Sequence, residues 1–267
     1  MDSDCLAHLE LLRERVFQTE TLWPQYRLLL TDLQLLAAEM PAGAVVVSLE
    51  RTLLYGGCSL LAPLFRGLEF ISIDCSPPSA EERGAYNAAM VEDPRFVAVP
   101  TSRRAAIDDT GLADAMADLV LVPNLVHHIA DQESLFREMA RIVKPGGRVY
   151  VFEALVREIH QAPDDFLRYT PHGLELAFQR AGLEPGSLKT EGGPFQVITY
   201  CWTQALQYLP EPLRQQYATW FHQEHFPKLM QLDAEHTRNL SKEHSSFPMS
   251  FSMTAQRPIH DLVLAPA

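Results

Sequence analysis

Short, almost fully apolar runs separated by helical stretches constrain this sequence most. Residues 44–49, 70–74, 118–122 and 148–152 have the length of strands and the composition of strands that helices cover on both faces. Residues 96–99 are a further strand candidate. Strand, helix and strand repeated in this way predict a doubly wound, Rossmann-like α/β fold, with a mostly parallel sheet and right-handed crossovers. Ligands of such sheets bind beyond the carboxyl ends of the strands.

Helical periodicity and capping residues predict the elements around these strands. Leucines at helical spacing indicate two helices within residues 1–42, an N-terminal helical cap, and residues 43–267 form the predicted α/β domain. A helical insertion is expected around residues 194–240. Asp131 and Thr170 are predicted N-caps, because their short polar side chains can accept hydrogen bonds from the first N–H groups of a helix.

The last regular element alternates strictly between apolar and non-apolar residues. Pro, Ser and Thr separate four apolar side chains, those of Phe247, Met249, Phe251 and Met253. An alternation of period two is typical of a half-buried strand. We therefore expect an antiparallel strand at the C-terminal edge of the sheet.

Charge and cysteine content narrow the class of partner. The chain has 34 acidic and 22 basic residues, a formal net charge of −12, whereas binding to nucleic acid needs a concentrated basic patch. No apolar run has the length of a membrane span, and the first ten residues do not resemble a secretory signal. Four cysteines without a CxxC pair suit a reducing compartment. These features predict a cytoplasmic protein with a small-molecule partner, no nucleic acid and no membrane.

Asp74 closes the second apolar run and is the sharpest single signal. A carboxylate at this place can accept hydrogen bonds from both hydroxyls of a ribose, as in nucleotide-binding α/β folds. The same carboxylate can instead cap the turn that follows the strand. The residues alone leave both roles open.

Residues 117–153 carry the most specific pattern. It consists of four segments, Asp-Leu-Val-Leu-Val-Pro-Asn at 118–124, His-His-Ile-Ala-Asp at 127–131, Leu-Phe-Arg-Glu-Met at 135–139 and Lys-Pro-Gly-Gly at 144–147. Together they resemble the class I S-adenosylmethionine-dependent methyltransferases of the small-molecule, type 11 kind. In that family the fourth strand ends at the cofactor, a histidine-containing segment follows, and a Pro-Gly-Gly turn leads into the fifth strand.

The loop after the first strand departs from that family pattern. Members usually place an acid and alternating glycines here, because residues without a β-carbon let the backbone approach the cofactor. This chain has Glu50, then Arg-Thr-Leu-Leu-Tyr, then Gly56 and Gly57. The resemblance implies that Glu50 stands for the usual acid and that Gly56 and Gly57 supply late glycines. The alternative is a decayed loop whose bulky residues fill the adenosyl space.

The resemblance implies S-adenosylmethionine as the cofactor. In that interpretation Glu50 holds the methionine ammonium, Asp74 holds the ribose hydroxyls, and Thr101 lies on the adenine side. Asn124, at the end of the fourth strand, contacts the cofactor or the acceptor. Aromatic residues such as Trp23 either roof the acceptor pocket or belong to the core.

His127 and His128 are the predicted catalytic residues. Methyl transfer is an in-line displacement, so the enzyme mainly positions donor and acceptor. A neutral imidazole near the methyl group can deprotonate an acceptor hydroxyl or amine. Simple packing of one ring and solvation of the other is the alternative.

A second set of histidines has no recognisable metal-binding pattern. The spacing of three between His222 and His225 puts both on one helical face, with His236 and His244 further along. A third ligand at a typical spacing is missing. We therefore expect no metal site.

Two functions from different classes follow. The first is an S-adenosylmethionine-dependent methyltransferase that acts on a small-molecule acceptor. The alternative is a non-catalytic, methyltransferase-like binding or scaffold protein with a decayed cofactor loop. An NAD-linked oxidoreductase ranks third, because the chain lacks a GxGxxG fingerprint.

Overall fold

The computed structural model describes residues 3–20, 23–77, 94–237 and 247–259. Its strands are β1 Val45–Glu50, β2 Cys58–Ser59, β3 Glu69–Asp74, β4 Val99–Pro100, β5 Arg103–Arg104, β6 Ala117–Pro123, β7 Val143–Ala154, β8 Glu184–Glu191 and β9 Ser250–Gln256. Its helices are α1 Ser3–Leu11, which continues into a π-helical turn, α2 Tyr26–Glu39, α3 Gln132–Ile142, α4 Pro171–Arg180, α5 Pro194–Ala205, α6 Glu211–Glu224 and α7 Phe226–Leu232.

Seven strands form the main sheet in the order β5-β3-β1-β6-β7-β9-β8. The first five strands in this order are parallel, which confirms the predicted doubly wound architecture. β9 runs antiparallel to β7 and to β8, so the predicted direction is confirmed. It lies one place in from the edge, which β8 forms. Ser252 on β9 is buried, and its hydroxyl is satisfied by a hydrogen bond that it donates to Asp32 Oδ2 on α2 at 2.6 Å.

Both faces of the sheet are covered, and this explains why the central strands contain nearly continuous apolar runs. Val47 and Leu49 pack into one cluster with residues of α3 and α4. Val46, which precedes Val47, points to the other face and packs with residues of α1 and α2. All three side chains are fully buried. Burial stabilises the fold by about 1.5–3 kcal/mol for each large apolar side chain.

Local signals in the sequence place the helix starts correctly. Asp131 Oδ1 accepts a hydrogen bond from Ser134 N at 3.0 Å, and Thr170 Oγ1 accepts one from Gly173 N at 3.1 Å. The strand expected at 96–99 is reduced to β4, which pairs with β2 in a separate two-stranded ribbon. In the ranges that the structure describes, no helix is long and apolar enough to cross a membrane.

Candidate active site

A cavity of about 320 Å³ lies at the carboxyl ends of β1, β6 and β7. This volume is within the range of small-ligand pockets, about 300–1,000 Å³. Phe17, Trp23 and Tyr26 form an aromatic wall on the N-terminal side. The polar lining residues include Glu50, Arg51, Asn124, His128, Arg157 and His160. The cavity therefore lies where parallel α/β sheets bind ligands.

The loop after β1 forms one wall of this cavity. It begins with a 3₁₀ turn, Thr52–Tyr55, whose Leu54 and Tyr55 line the cavity without closing it. Gly56 and Gly57 have φ angles of +65° and +78°, which favour glycine. Among the described residues, no atom lies within 4 Å of a Cβ added at either position. These glycines therefore serve the turn itself, and neither lines the cavity.

Glu50 ends β1 on the cavity wall. Its side chain is buried, and Oε1 accepts hydrogen bonds from Ser59 Oγ at 2.8 Å and from Ser72 Oγ at 3.2 Å. Burial raises the pKa of Glu50 to about 7, although the hydroxyl hydrogen bonds oppose this rise. Since a nearby cation favours the ionised form of a carboxyl group, a cationic ligand in the cavity would hold Glu50 charged.

The raised pKa of Glu50 predicts a pH-dependent free energy of unfolding. The folded state retains a proton that the unfolded chain has already lost, so stability falls as pH rises from about 4.5 to about 7. The expected loss between pH 5 and pH 8 is about 2–3 kcal/mol relative to Glu50→Gln, which cannot ionise. Urea denaturation of both proteins at the two pH values measures it. If the free energy of unfolding changed equally with pH in the unmodified protein and in Glu50→Gln, Glu50 would not be protonated in the folded state.

Asp74 ends β3 and is engaged within the protein. Its Oδ1 accepts hydrogen bonds from Thr52 N at 2.9 Å and from Ser76 Oγ at 2.6 Å, and Oδ2 lies 3.8 Å from Arg104 Nε. Thr101 joins the same group, because its Oγ1 donates to Thr52 Oγ1 at 2.7 Å. Neither Asp74 nor Thr101 is among the residues that line the cavity. The structure thus separates these two residues from the cavity wall that Glu50 forms.

Asn124 follows β6 with a φ of +59°, which is uncommon for a residue other than glycine. Its Nδ2 donates to Tyr26 Oη at 2.9 Å. The Oδ1 atom is buried, and no hydrogen-bond donor within the described part of the chain reaches it. An unsatisfied buried acceptor costs about 1–3 kcal/mol. A ligand with an N–H or O–H group in the cavity would remove that cost, so the residues fit a small polar cofactor.

His127 and His128 pack against each other after β6, with ring centroids 3.9 Å apart and ring planes tilted by 44°. His127 Nδ1 lies 2.6 Å from Glu153 Oε2, and His128 Nδ1 contacts the carbonyl oxygen of Asp164. His160 packs beside them, with its Nε2 at 3.4 Å from His127 Nε2. Burial lowers the pKa of His128 and lowers that of His160 to about 4, so both rings are neutral near pH 7.

Arg157 and His160 are among the lining residues that are absent from the sequence-based site. Arg157 Cζ lies 4.1 Å from the centre of the Trp23 ring, and Nη1 donates to Tyr26 Oη at 3.1 Å. Both residues follow β7, so the rule about carboxyl ends of strands could have found them if applied to the fifth apolar run. Trp23 belongs to the cavity wall, one of the two roles that its aromatic character left open.

Comparisons with known proteins give a family match and structural neighbours. A family model described as a methyltransferase domain matches residues 55–151. Among curated proteins, none matches the chain. One solved neighbour is a chain of the Haloferax volcanii complex between the Trm112 methyltransferase activator and a candidate methyltransferase, with a TM-score of 0.51, 18% identity, and coverage of 97% of this chain and 99% of that chain.

A second solved neighbour is phosphoethanolamine N-methyltransferase 2 of Haemonchus contortus in complex with S-adenosyl-L-methionine. Its TM-score is 0.46 at 14% identity, and the match covers 85% of this chain and 52% of that chain. At 18% identity, the Haloferax volcanii neighbour shows a shared fold and no more. The family match and the fold confirm the resemblance seen in the sequence.

Proposed function

We propose that this chain, whose residues 55–151 match a methyltransferase-domain family model, transfers a methyl group from S-adenosylmethionine to a small-molecule acceptor bound in the cavity. One observation carries this proposal: the cavity has a carboxylate, Glu50, and an unsatisfied amide oxygen, Asn124 Oδ1, on its wall. Both follow strands at the edge where such sheets bind ligands. We further propose a cytoplasmic location, which the absence of a disulfide bond among the cysteines of the described residues supports.

In the proposed complex, the cavity wall holds the methionine end of the cofactor. Glu50 pairs with the ammonium group, and Asn124 Oδ1 accepts a hydrogen bond from a cofactor N–H or O–H. Asp74 Oδ2 is the oxygen left for a ribose hydroxyl, since Oδ1 already accepts hydrogen bonds within the protein. Gly57 and Thr101 both donate hydrogen bonds to Thr52. Together with Gly56 they form the side proposed for adenine.

The histidines act on the acceptor in this proposal. The cofactor supplies an electrophilic methyl group, so the protein must hold an acceptor lone pair in line with it. His128 lines the cavity, so the lone pair of its ring can take the acceptor's proton, although burial lowers the pKa of this ring and makes it a weak base. His127 packs against it and is held by Glu153. Trp23 and Tyr26 exclude water from this end of the cavity.

One observation favours the non-catalytic, methyltransferase-like scaffold as a second candidate. Asp74 Oδ1 already accepts hydrogen bonds from Thr52 N and from both donors of Ser76, although Asp74 is the residue expected to hold the ribose. A scaffold would need that carboxylate only to fix the loop. The two functions differ in one measurable property, which is affinity for the cofactor.

Calorimetric titration with S-adenosylmethionine separates the two functions. We expect saturable binding of one molecule per chain, and Asp74→Asn should weaken it at least about tenfold through the loss of a charge-assisted hydrogen bond. Glu69→Gln, at the exposed start of β3, is the matched control and should bind like the unmodified protein. Neither heat nor a thermal shift at millimolar ligand would leave only the scaffold.

A further inference from the structure

Three histidine rings come together beside the cavity, those of His127, His128 and His160. Each ring offers one nitrogen, and the three nitrogens all lie within 4.8 Å of one another. We propose that this histidine cluster binds a divalent transition-metal ion of the zinc type. The proposal replaces the expectation of no metal site that the sequence supports. His160 is 33 positions from His127 along the chain, so no short spacing pattern reveals the cluster.

The distances in the histidine cluster match tetrahedral coordination. His127 Nε2 and His160 Nε2 are 3.4 Å apart. Zinc–nitrogen bonds of about 2.0–2.1 Å in a tetrahedron place two ligand nitrogens about 3.3–3.4 Å apart. Two of the three ligands therefore already have the separation that a shared ion requires, and a ring nitrogen of His128 lies within 4.8 Å of both.

The second nitrogen of each ring is held by an acceptor oxygen. The Nδ1 partners are Glu153 Oε2 at 2.6 Å for His127, the Asp164 carbonyl oxygen for His128, and for His160 both the Glu158 carbonyl oxygen at 3.2 Å and Asp165 Oδ2 at 3.1 Å. An Nδ1–H that donates to oxygen leaves the lone pair on Nε2. The same arrangement, an imidazole held by a carboxylate or a carbonyl, orients histidine ligands in metal sites. In each ring the hydrogen bond at Nδ1 therefore fixes the tautomer that has its lone pair on Nε2, the form that can bind a metal ion.

Charge in this region also suits a divalent cation. Glu153 and Asp165 are almost fully buried and contact ligand rings directly. The guanidinium of Arg157 adds positive charge nearby, and the carboxylate of Glu158, 3.3 Å from its Nε, offsets it. Neutral imidazoles are the form that binds metal ions. Asp165 also pairs with the guanidinium of Arg168, so Glu153 is the buried carboxylate that balances the charge of the ion.

The cavity leaves room for a fourth ligand. His128 and His160 both line it, so the remaining coordination position faces the space proposed for the acceptor. Zinc sites with three protein ligands keep such a position open for water or substrate. This part of the inference rests on the proposed function: the acceptor would carry an oxygen donor, a hydroxyl or a carboxylate, that binds the ion. In the metal-bound protein the His128 lone pair would be used for coordination and could not accept a proton, so the ion would take over activation by lowering the pKa of the coordinated hydroxyl.

Titration of the chelator-treated protein with Co²⁺, followed by displacement with Zn²⁺, tests the site. The protein carries Cys201→Ser to remove its exposed thiol. We expect one ion per chain, visible absorption of four-coordinate cobalt, and a higher unfolding temperature with Zn²⁺. His160→Ala should lower metal affinity more than about 100-fold, and Glu153→Gln by about 10- to 100-fold.

His172→Ala is the matched control, because this ring is 90% exposed at the start of α4, and it should bind the metal normally. Glu153 also accepts a hydrogen bond from Val126 N, so His160→Gln serves as a second ligand variant that spares this contact. Absence of stoichiometric binding, or equal affinity in the His160 variants, would overturn the proposal. Calorimetry with S-adenosylmethionine on the metal-free protein reports separately on the proposed function.

Discussion

Replacing His128 with alanine is expected to lower the turnover number for methyl transfer by about 10²- to 10⁴-fold, the range typical of a positioned proton acceptor. His128 lines the cavity, whereas the proposed cofactor contacts lie on Glu50 and Asn124. Cofactor affinity should therefore change less than about twofold, because the variant removes no proposed cofactor contact. Formation of S-adenosylhomocysteine in the presence of a metabolite extract measures turnover, and calorimetry measures affinity.

His127→Ala should also lower turnover, since His127 packs against the His128 ring and is held by Glu153. His172→Ala, on an exposed ring, should leave both turnover and affinity unchanged. Turnover retained in both His127→Ala and His128→Ala would remove the histidines from the chemical step.

Glu50→Gln is expected to weaken cofactor binding by about 10- to 150-fold at pH 8, which corresponds to a charge-assisted hydrogen bond of about 1.5–3 kcal/mol. The pKa of Glu50 is raised to about 7 in the ligand-free protein, and an ammonium group would bind its ionised form. Affinity of the unmodified protein should therefore rise as pH increases towards 7 and level off above it. Calorimetric titrations from pH 5.5 to pH 8.5 follow both effects.

Loss of folding cannot explain weaker binding in Glu50→Gln. Removing an ionisable group from a buried position should stabilise the protein at pH 8, as the raised pKa requires. Glu69→Gln again serves as the matched control. A pH-independent affinity, or normal binding by Glu50→Gln, would show that this carboxylate does not contact the ammonium.

The fold could be predicted where local composition determines burial. Each of β1, β3, β6 and β7 contains one of the apolar runs predicted as strands, and most residues of these runs are buried. The position of β9 within the sheet could not be predicted, because alternation along a strand does not say which neighbours cover its polar face. On that face Ser252 donates a hydrogen bond to Asp32, which is 220 positions away in the sequence. Contacts of this length leave no local signal.

The candidate site shows the same limit. Glu50, Asn124 and His128 line the cavity because each follows a strand that ends at the same edge of the sheet. Asp74 also ends a strand, but its Oδ1 already accepts hydrogen bonds from Thr52 N, in the loop after β1, and from Ser76 Oγ, in the loop after β3. Strand position thus predicts where a residue lies, whereas the hydrogen bonds of its side chain depend on loop conformation. The pairing of His160 with His127 depends in turn on the loop after β7.

A crystal structure of the complex with S-adenosylhomocysteine tests most directly where the cofactor binds. The account predicts that the ligand's amino group lies within hydrogen-bonding distance of the Glu50 carboxylate, about 3 Å, and that a ligand donor reaches Asn124 Oδ1. A ligand bound away from both residues, or a complex that does not form at saturating ligand, would contradict it.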